Sequence, residues 1–187
     1  MFGILQRKTL NQDEQQCLLN LARKTIASRL AMQPSPPLSA APPRLRQNRG
    51  VFVTLNKDGN LRGCIGVVHG VKPLYQAMQD AALSAAFDDP RFPPLSPEEF
   101  PEISIEISVI SPLRRVDSAE KIKVPRHGLL FQLAERNAVL LPQVAAKNHW
   151  DRQKLLEHVC LKAGLEKEAW QHPNAEMMTF EAQVFCE

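Results

Sequence analysis

The chain has 187 residues, 44% of them hydrophobic and 23% charged, which is ordinary for a soluble globular protein. That length suggests one domain, or two small subdomains sharing a core. It buries roughly 70% of the unfolded surface, so folding needs neither metal nor disulfide. The net charge of +3 is too small to argue for nucleic acid, and the one basic cluster, Arg44, Arg46 and Arg49, reads as a solvated loop.

Residues 1–8 lack the charge-then-apolar order of a signal peptide. No apolar run approaches the length of a membrane span. Cys17, Cys64, Cys160 and Cys186 form no C-x-x-C pair and read as reduced thiols of a cytoplasmic protein.

Residues 12–31 predict a helix. Leu18, Leu21, Ala22, Ile26 and Leu30 recur near the 3.6-residue period, and Asn11 with Glu14 resembles a capping box. The proline-rich residues 34–43 predict an extended loop. Val51-Phe52-Val53-Thr54-Leu55 is β-branched and aromatic and predicts a strand. Residues 56–60 carry turn chemistry, and residues 61–68 return as the partner strand. Residues 73–87 predict a second helix with Pro73 at its first position, followed by a stiff loop over residues 88–94. Ser96-Pro97-Glu98-Glu99 is a full helix-start signal. Residues 103–110 alternate strictly and predict a half-buried strand. Residues 128–133 and 138–141 predict two more strands. Asp151 caps a helix that ends before Gly164, with Trp150 stapled on Leu155. Residues 179–185 predict a last strand. Hairpins mixed with separate helices predict an α+β fold with a largely antiparallel sheet.

The candidate chemistry centres on Leu61-Arg62-Gly63-Cys64-Ile65-Gly66. Side chains alternate along a strand, which puts Leu61, Gly63, Ile65 and Val67 on one face. Arg62, Cys64, Gly66 and Val68 take the other. Arg62 then stands roughly 6.5 Å from Cys64, and Gly66 leaves a dent beside the sulfur. A cation favours thiolate, and a dent admits a small molecule. An arginine beside an exposed thiol would add only roughly 0–1 kcal/mol of stability. The competing reading makes Cys64 a small packing residue and assigns the glycines to a bulge or to close backbone contact.

Elsewhere, His127 precedes a glycine at a strand start and is either an acid/base for Cys64 or a satisfied structural imidazole. Glu106 lies on the polar face of its strand, as an acid/base, a partner of Arg62, or an exposed carboxylate. Asp89-Pro90-Arg91 either fixes a turn through an ion pair or presents Arg91 to an anion. The histidines have no metal-ligand spacing, there is no glycine-rich phosphate loop, and the sequence names no cofactor.

Several blocks together resemble one known family. They are Gly50-Val51-Phe52-Val53-Thr54-Leu55, the hexapeptide around Cys64, Ala85-Ala86-Phe87-Asp88-Asp89-Pro90-Arg91-Phe92-Pro93-Pro94-Leu95, Ile105-Glu106-Ile107-Ser108-Val109-Ile110-Ser111-Pro112, Arg126-His127-Gly128-Leu129 and Leu140-Leu141-Pro142-Gln143-Val144. Trp150 and Cys160-Leu161-Lys162-Ala163-Gly164-Leu165 fit later blocks. The order is similar to that of the AMMECR-one domain family, whose bacterial and archaeal members are called AmmeMemoRadiSam system protein A. The resemblance spans nearly the whole chain and implies that residues 1–187 are a single domain of this kind. It implies a two-subdomain α+β fold and a genomic association with a Memo-like protein and a radical S-adenosylmethionine enzyme. It settles no reaction. One departure concerns residues 134–139, where the family tends to have glycines and this chain has none.

Two functions from different classes follow. In one, the chain is an enzyme or enzyme component. Cys64 is its nucleophilic or redox thiol, Arg62 stabilises thiolate or holds an anion, and His127 or Glu106 moves protons. Gly63, Gly66 and Arg91 form the binding surface. In the other, it is a non-catalytic adaptor or carrier for the Memo-like and radical enzymes.

Overall fold

A computed structural model describes residues 9–187; the signal-peptide reading of residues 1–8 lies outside them. The first helix, α1, runs Gln12–Leu30, and its capping box forms in full. The Asn11 side chain accepts from the Glu14 N–H while the Glu14 carboxylate accepts from the Asn11 N–H. Strands β1 (Val51–Lys57) and β2 (Asn60–Val67) make the expected hairpin. Its turn residues Asp58 and Gly59 sit at φ 51° and 76°, the two positive values a two-residue I′ turn requires.

Helix α2 spans Leu74–Phe87, so Pro73 precedes the first helical turn and does not open it. The start signal at Ser96 makes its cap hydrogen bonds with Glu99 but leads only to a single 3-10 turn, Phe100–Glu102. Pro101 has no N–H to continue a helix, and β3 (Ile103–Ile110) begins directly after. β1, β2 and β3 are antiparallel neighbours.

The chain forms two compact units, one of residues up to Ile110 with Gln183–Glu187, the other Ser111–Ala182. In the first, the sheet order is β2-β1-β3-β8, with β8 at Ala182–Cys186. Val51, Val53, Leu55, Ile105 and Ile107 are fully buried with Leu18 and Ile26 of α1 and Met78 and Ala82 of α2. One sheet face thus packs on helices.

The second unit carries β4 (Arg114–Val116), β5 (Gly128–Leu133), β6 (Arg136–Leu140) and β7 (Glu176–Phe180), in the order β4-β7-β5-β6. Helices α3 (Pro142–Lys147) and α4 (Arg152–Lys162) belong to it. Its core joins Leu129 and Phe131 to Ala145, Leu155 and Val159. α4 is capped by Asp151 and followed by Gly164 at φ 74°, both as the sequence indicates.

The single last strand expected at residues 179–185 is two strands. At the break, the Glu181 N–H donates to Ser111 Oγ and the Ser111 N–H donates to the Glu181 carbonyl. The chain therefore leaves one ladder at Phe180 and joins another at Ala182.

The glycine-free turn lies between β5 and β6, and Ala134 occupies it at φ 51°. A left-handed alanine costs roughly 1–2 kcal/mol, which glycine would avoid while losing some unfolded-state advantage. Ala134→Gly is expected to gain about 0.5–1 kcal/mol and raise the melting temperature by about 1–4 °C. An unchanged or lower value in thermal denaturation would show the turn to be unstrained.

Candidate functional site

β2 is the outer strand of its sheet, so alternate backbone groups on it point away from the ladder and need other partners. At Cys64 they find them in the loop after α2. The Cys64 N–H donates to Asp89 Oδ2 at 2.9 Å, and Arg91 Nη2 donates to the Cys64 carbonyl at 3.2 Å. Arg91 also grips Asp89 through Nε at 2.9 Å and Nη2 at 2.6 Å, and the Arg91 N–H donates to Asp89 Oδ1. The Asp89 side chain is only 2% exposed. Hydrogen bonds from Arg91 hold its carboxyl far below the usual range, helped by the Cys64 and Arg91 N–H groups and opposed by burial. The Asp89–Arg91 ion pair and the turn both form, with the Phe92 N–H donating to the Asp89 carbonyl. Half of the Arg91 side chain remains in solvent.

The Cys64 side chain is half-buried. Cys64 is paired with Thr54, which is paired with Glu106 on the other side, so the three share one face of the sheet. Thr54 Oγ1 donates to Cys64 Sγ at 3.3 Å. Two strand spacings put Cys64 and Glu106 roughly 9.5 Å apart, too far for Glu106 to take the thiol proton directly.

Arg62 does not stand where simple alternation puts it. The register pairs Leu55 with Gly63 but Asn56 with Leu61, which leaves Arg62 as the extra residue of a β-bulge. Its side chain is buried and turned to the loop. Nε and Nη2 donate to the two Glu99 oxygens at 3.1 and 2.9 Å, and Nη2 also donates to the Pro93 carbonyl at 2.8 Å. The guanidinium lies over the Phe92 ring at 5.8 Å. The carboxylate Arg62 takes is therefore Glu99. The cation bonded at Cys64 is Arg91, through the Cys64 carbonyl.

Both glycines of the motif are explained by close packing. A Cβ on Gly63 would lie 2.1 Å from the Ala85 carbonyl oxygen of α2. One on Gly66 would lie 2.2 Å from the Val51 carbonyl oxygen and 2.5 Å from Phe52 Cγ. The dent expected beside the sulfur is thus filled by β1 and the Phe52 ring.

His127 belongs to the second unit. Its Nδ1 accepts the Lys123 N–H at 3.1 Å, and its own N–H donates to the Lys123 carbonyl. Burial pushes its imidazole below the usual value, with Glu181 opposing and neighbouring cations assisting. Each arginine of the basic cluster pins local structure. Arg44 bonds Glu14 and the Thr9 carbonyl, Arg46 the Ala41 carbonyl, and Arg49 the Ile110 carbonyl. No described helix is long and apolar enough to cross a membrane.

Sequence reasoning did not single out Thr54 or Glu99 as parts of this site, and gave Asp89 only the ion pair that fixes a turn. A threonine at the centre of an apolar strand, opposite the thiol, was the available signal for the first.

Fold and site together define a two-unit α+β protein with a half-buried cysteine on the face of a four-stranded sheet opposite Val51, Val53 and Leu55. The family model AMMECR1 matches residues 19–185, and the chain belongs to that family. It is 44% identical to Protein MK0488 of Methanopyrus kandleri, covering 95% of this chain and 90% of that one. It is 42% identical to a protein of Methanothermobacter thermautotrophicus, covering 95% and 96%. Among solved structures, the uncharacterized protein PH0010 from Pyrococcus horikoshii superposes with a TM-score of 0.91 at 35% identity, covering 95% of this chain and 93% of that one.

Arg62 is far from the weak surface contact expected of it. Arg62→Ala strips Glu99 and Pro93 of charge-assisted bonds and should cost about 2 kcal/mol, lowering the melting temperature by about 4–8 °C; a change within 1 °C would refute the buried clamp. Arg62, with the Ser96 N–H and Lys57 adding to its effect, also holds the Glu99 carboxyl down at about 2 from its ordinary 4.5, against the opposing push of burial. A lowered folded-state value stabilises above the unfolded one. This contribution is full above pH 4.5 and fades as pH falls through about 2. Glu99→Gln is expected to flatten the stability profile across that window in urea titrations at stepped pH. A profile as steep as the parent's would remove the pair from the acid response.

Proposed function

We propose that the protein is an enzyme or enzyme component that uses Cys64 as a nucleophilic or redox thiol. One observation carries this reading: a half-exposed sulfur that accepts a hydroxyl hydrogen bond from Thr54 while Asp89 and Arg91 fix its main chain. A donor aimed at sulfur favours the thiolate, the reactive form, and a locked backbone holds the nucleophile in one place. Arg91 supplies the exposed cation for a substrate anion. Glu106 stands across Thr54 as the carboxylate a substrate lying along the row would meet. Arg62 acts as a positioning residue, because it holds the loop that carries Asp89 and Arg91. His127 is engaged with its own turn and is assigned no step.

The four cysteines give an internal control. Cys186 is exposed, Cys17 half-buried and Cys160 buried. Brief labelling with iodoacetamide at neutral pH, mapped by mass spectrometry, is expected to modify Cys64 before the more exposed Cys186. Thr54→Val and Arg91→Ala should each slow labelling at Cys64 several-fold and leave Cys186 unchanged. Labelling that simply follows exposure would end the nucleophile reading.

A second reading, the adaptor, draws support from the edge of the same sheet. Val67 and Val71 are 46% and 73% exposed beside an apolar recess of about 150 Å³ that also involves Ile65, Ala77 and Ala81. Here the partner would be the Memo-like protein or the radical S-adenosylmethionine enzyme. Val71→Asp is expected to abolish co-purification with either while leaving Cys64 labelling intact. Binding that survives the charge would exclude this edge as the contact.

A further inference from the structure

A cavity of the second unit is lined by none of the motif's residues. It is a cleft of about 630 Å³, within the roughly 300–1,000 Å³ that small-molecule sites occupy. One wall is the segment from Ile122 to Pro125. The other is the end of α3 and the start of α4. Its floor is apolar, since Ile122 and Ala145 are 2% and 0% exposed.

Three features make this more than a gap between elements. First, Trp150 is fixed in place by stacking on His158, with centroids 3.9 Å apart and planes at 6°. The indole is therefore a rigid aromatic wall. Second, the chain turns out of α3 through His149 at φ 53°. The Trp150 N–H donates to the Ala145 carbonyl and the His149 N–H to the Ala146 carbonyl, a closure that normally takes glycine. Histidine holds that left-handed place instead, and it lines the cleft. Third, Lys123 and Arg152 line the opening, and neither head group forms an ion pair among the described residues. Of the two carboxylates on the lining, Asp151 is occupied in capping α4 through the Lys154 N–H, and Glu120 is exposed.

We propose that this cleft binds a small organic anion: a flat apolar body seated between Ile122, Ala145 and Trp150, with a phosphate or carboxylate head held by Lys123 and Arg152. The apolar floor gains by covering the body. Both cations are exposed, and together they meet the head through charge-assisted hydrogen bonds, which are stronger than neutral ones. The neutral alcohol of the same body lacks that pairing.

The test uses the full chain, with 1-naphthyl phosphate, 1-naphthoate and 1-naphthylmethanol as probes, read by two-dimensional amide NMR and by affinity from the same titrations. The phosphate or the carboxylate is expected to shift amides of residues 122–124 and 145–152, and to bind at least tenfold more tightly than the alcohol. The double variant Lys123→Ala/Arg152→Ala should bring the anions down to the alcohol's level. Glu120→Gln should tighten the anions by removing a like charge. Ala146→Trp, at an exposed position on the lining, should exclude all three probes while the rest of the spectrum stays in place. No shift at those amides up to millimolar probe overturns the proposal. So does equal affinity for anion and alcohol, or anion binding indifferent to loss of both cations. Whether phosphate or carboxylate binds more tightly identifies the head group.

Discussion

The first unit depends on how an edge strand disposes of its unpaired backbone. β2 has a neighbour on one side only, and an open edge invites pairing with another chain. At Cys64 the problem is solved by side chains from one loop, with Asp89 taking the N–H and Arg91 the carbonyl. The same two residues bond each other, so the clamp is neutral and can be buried without an unpaired charge. Arg62 extends it by holding Pro93 and Glu99. The loop is thereby tied to β2 at two points, on either side of Gly63, where α2 already touches the strand. Little room is left for the sulfur to move.

This arrangement divides the labour of the hexapeptide differently from its appearance in sequence. Arginine beside cysteine suggests thiolate stabilisation, and flanking glycines suggest access. The β-bulge between the Leu55 and Asn56 pairings displaces Arg62 from the simple alternation, and a one-residue irregularity of that kind leaves no periodic trace. The glycines answer to α2 and to Phe52, contacts made by residues distant in the chain. The residues that meet Cys64, Thr54 at its sulfur and Arg91 at its carbonyl, belong to other segments. Their relation to Cys64 is set by strand register and by the loop's return, which no local pattern encodes.

Where signals were local, the sequence was legible. The α1 capping box, the Asp58–Gly59 turn and the Asp151 cap appear as read, and β3 forms where expected, although its alternation of burial holds only as far as Ile107 and Ser108 is buried as well. Elements that are short were not visible: β4 has three residues and α3 six, below the length at which a period shows. The start signal at Ser96 formed its box without a helix, because Pro101 and the pull of Arg62 on Glu99 serve other ends. The split of the last strand falls at Glu181 and Ala182, residue types that strands disfavour, and there Ser111 takes up the Glu181 backbone.

The physical separation of roles has a consequence for how variants are interpreted. Substitution of Gly63, Gly66 or Arg62 perturbs packing first, because the glycines meet backbone and the buried Arg62 side chain pairs with Glu99. Loss of activity in such variants would therefore say little about chemistry. Thr54, Arg91 and Glu106 are different: each is partly exposed, and Thr54 and Arg91 touch the Cys64 sulfur or its backbone. Thr54→Val removes the hydroxyl that reaches the sulfur at nearly constant volume, so its effect is the cleaner measure of what surrounds the thiol. A β-branched valine also suits the central strand better than most replacements. A change in Cys64 reactivity without a change in stability would then belong to the hydroxyl itself.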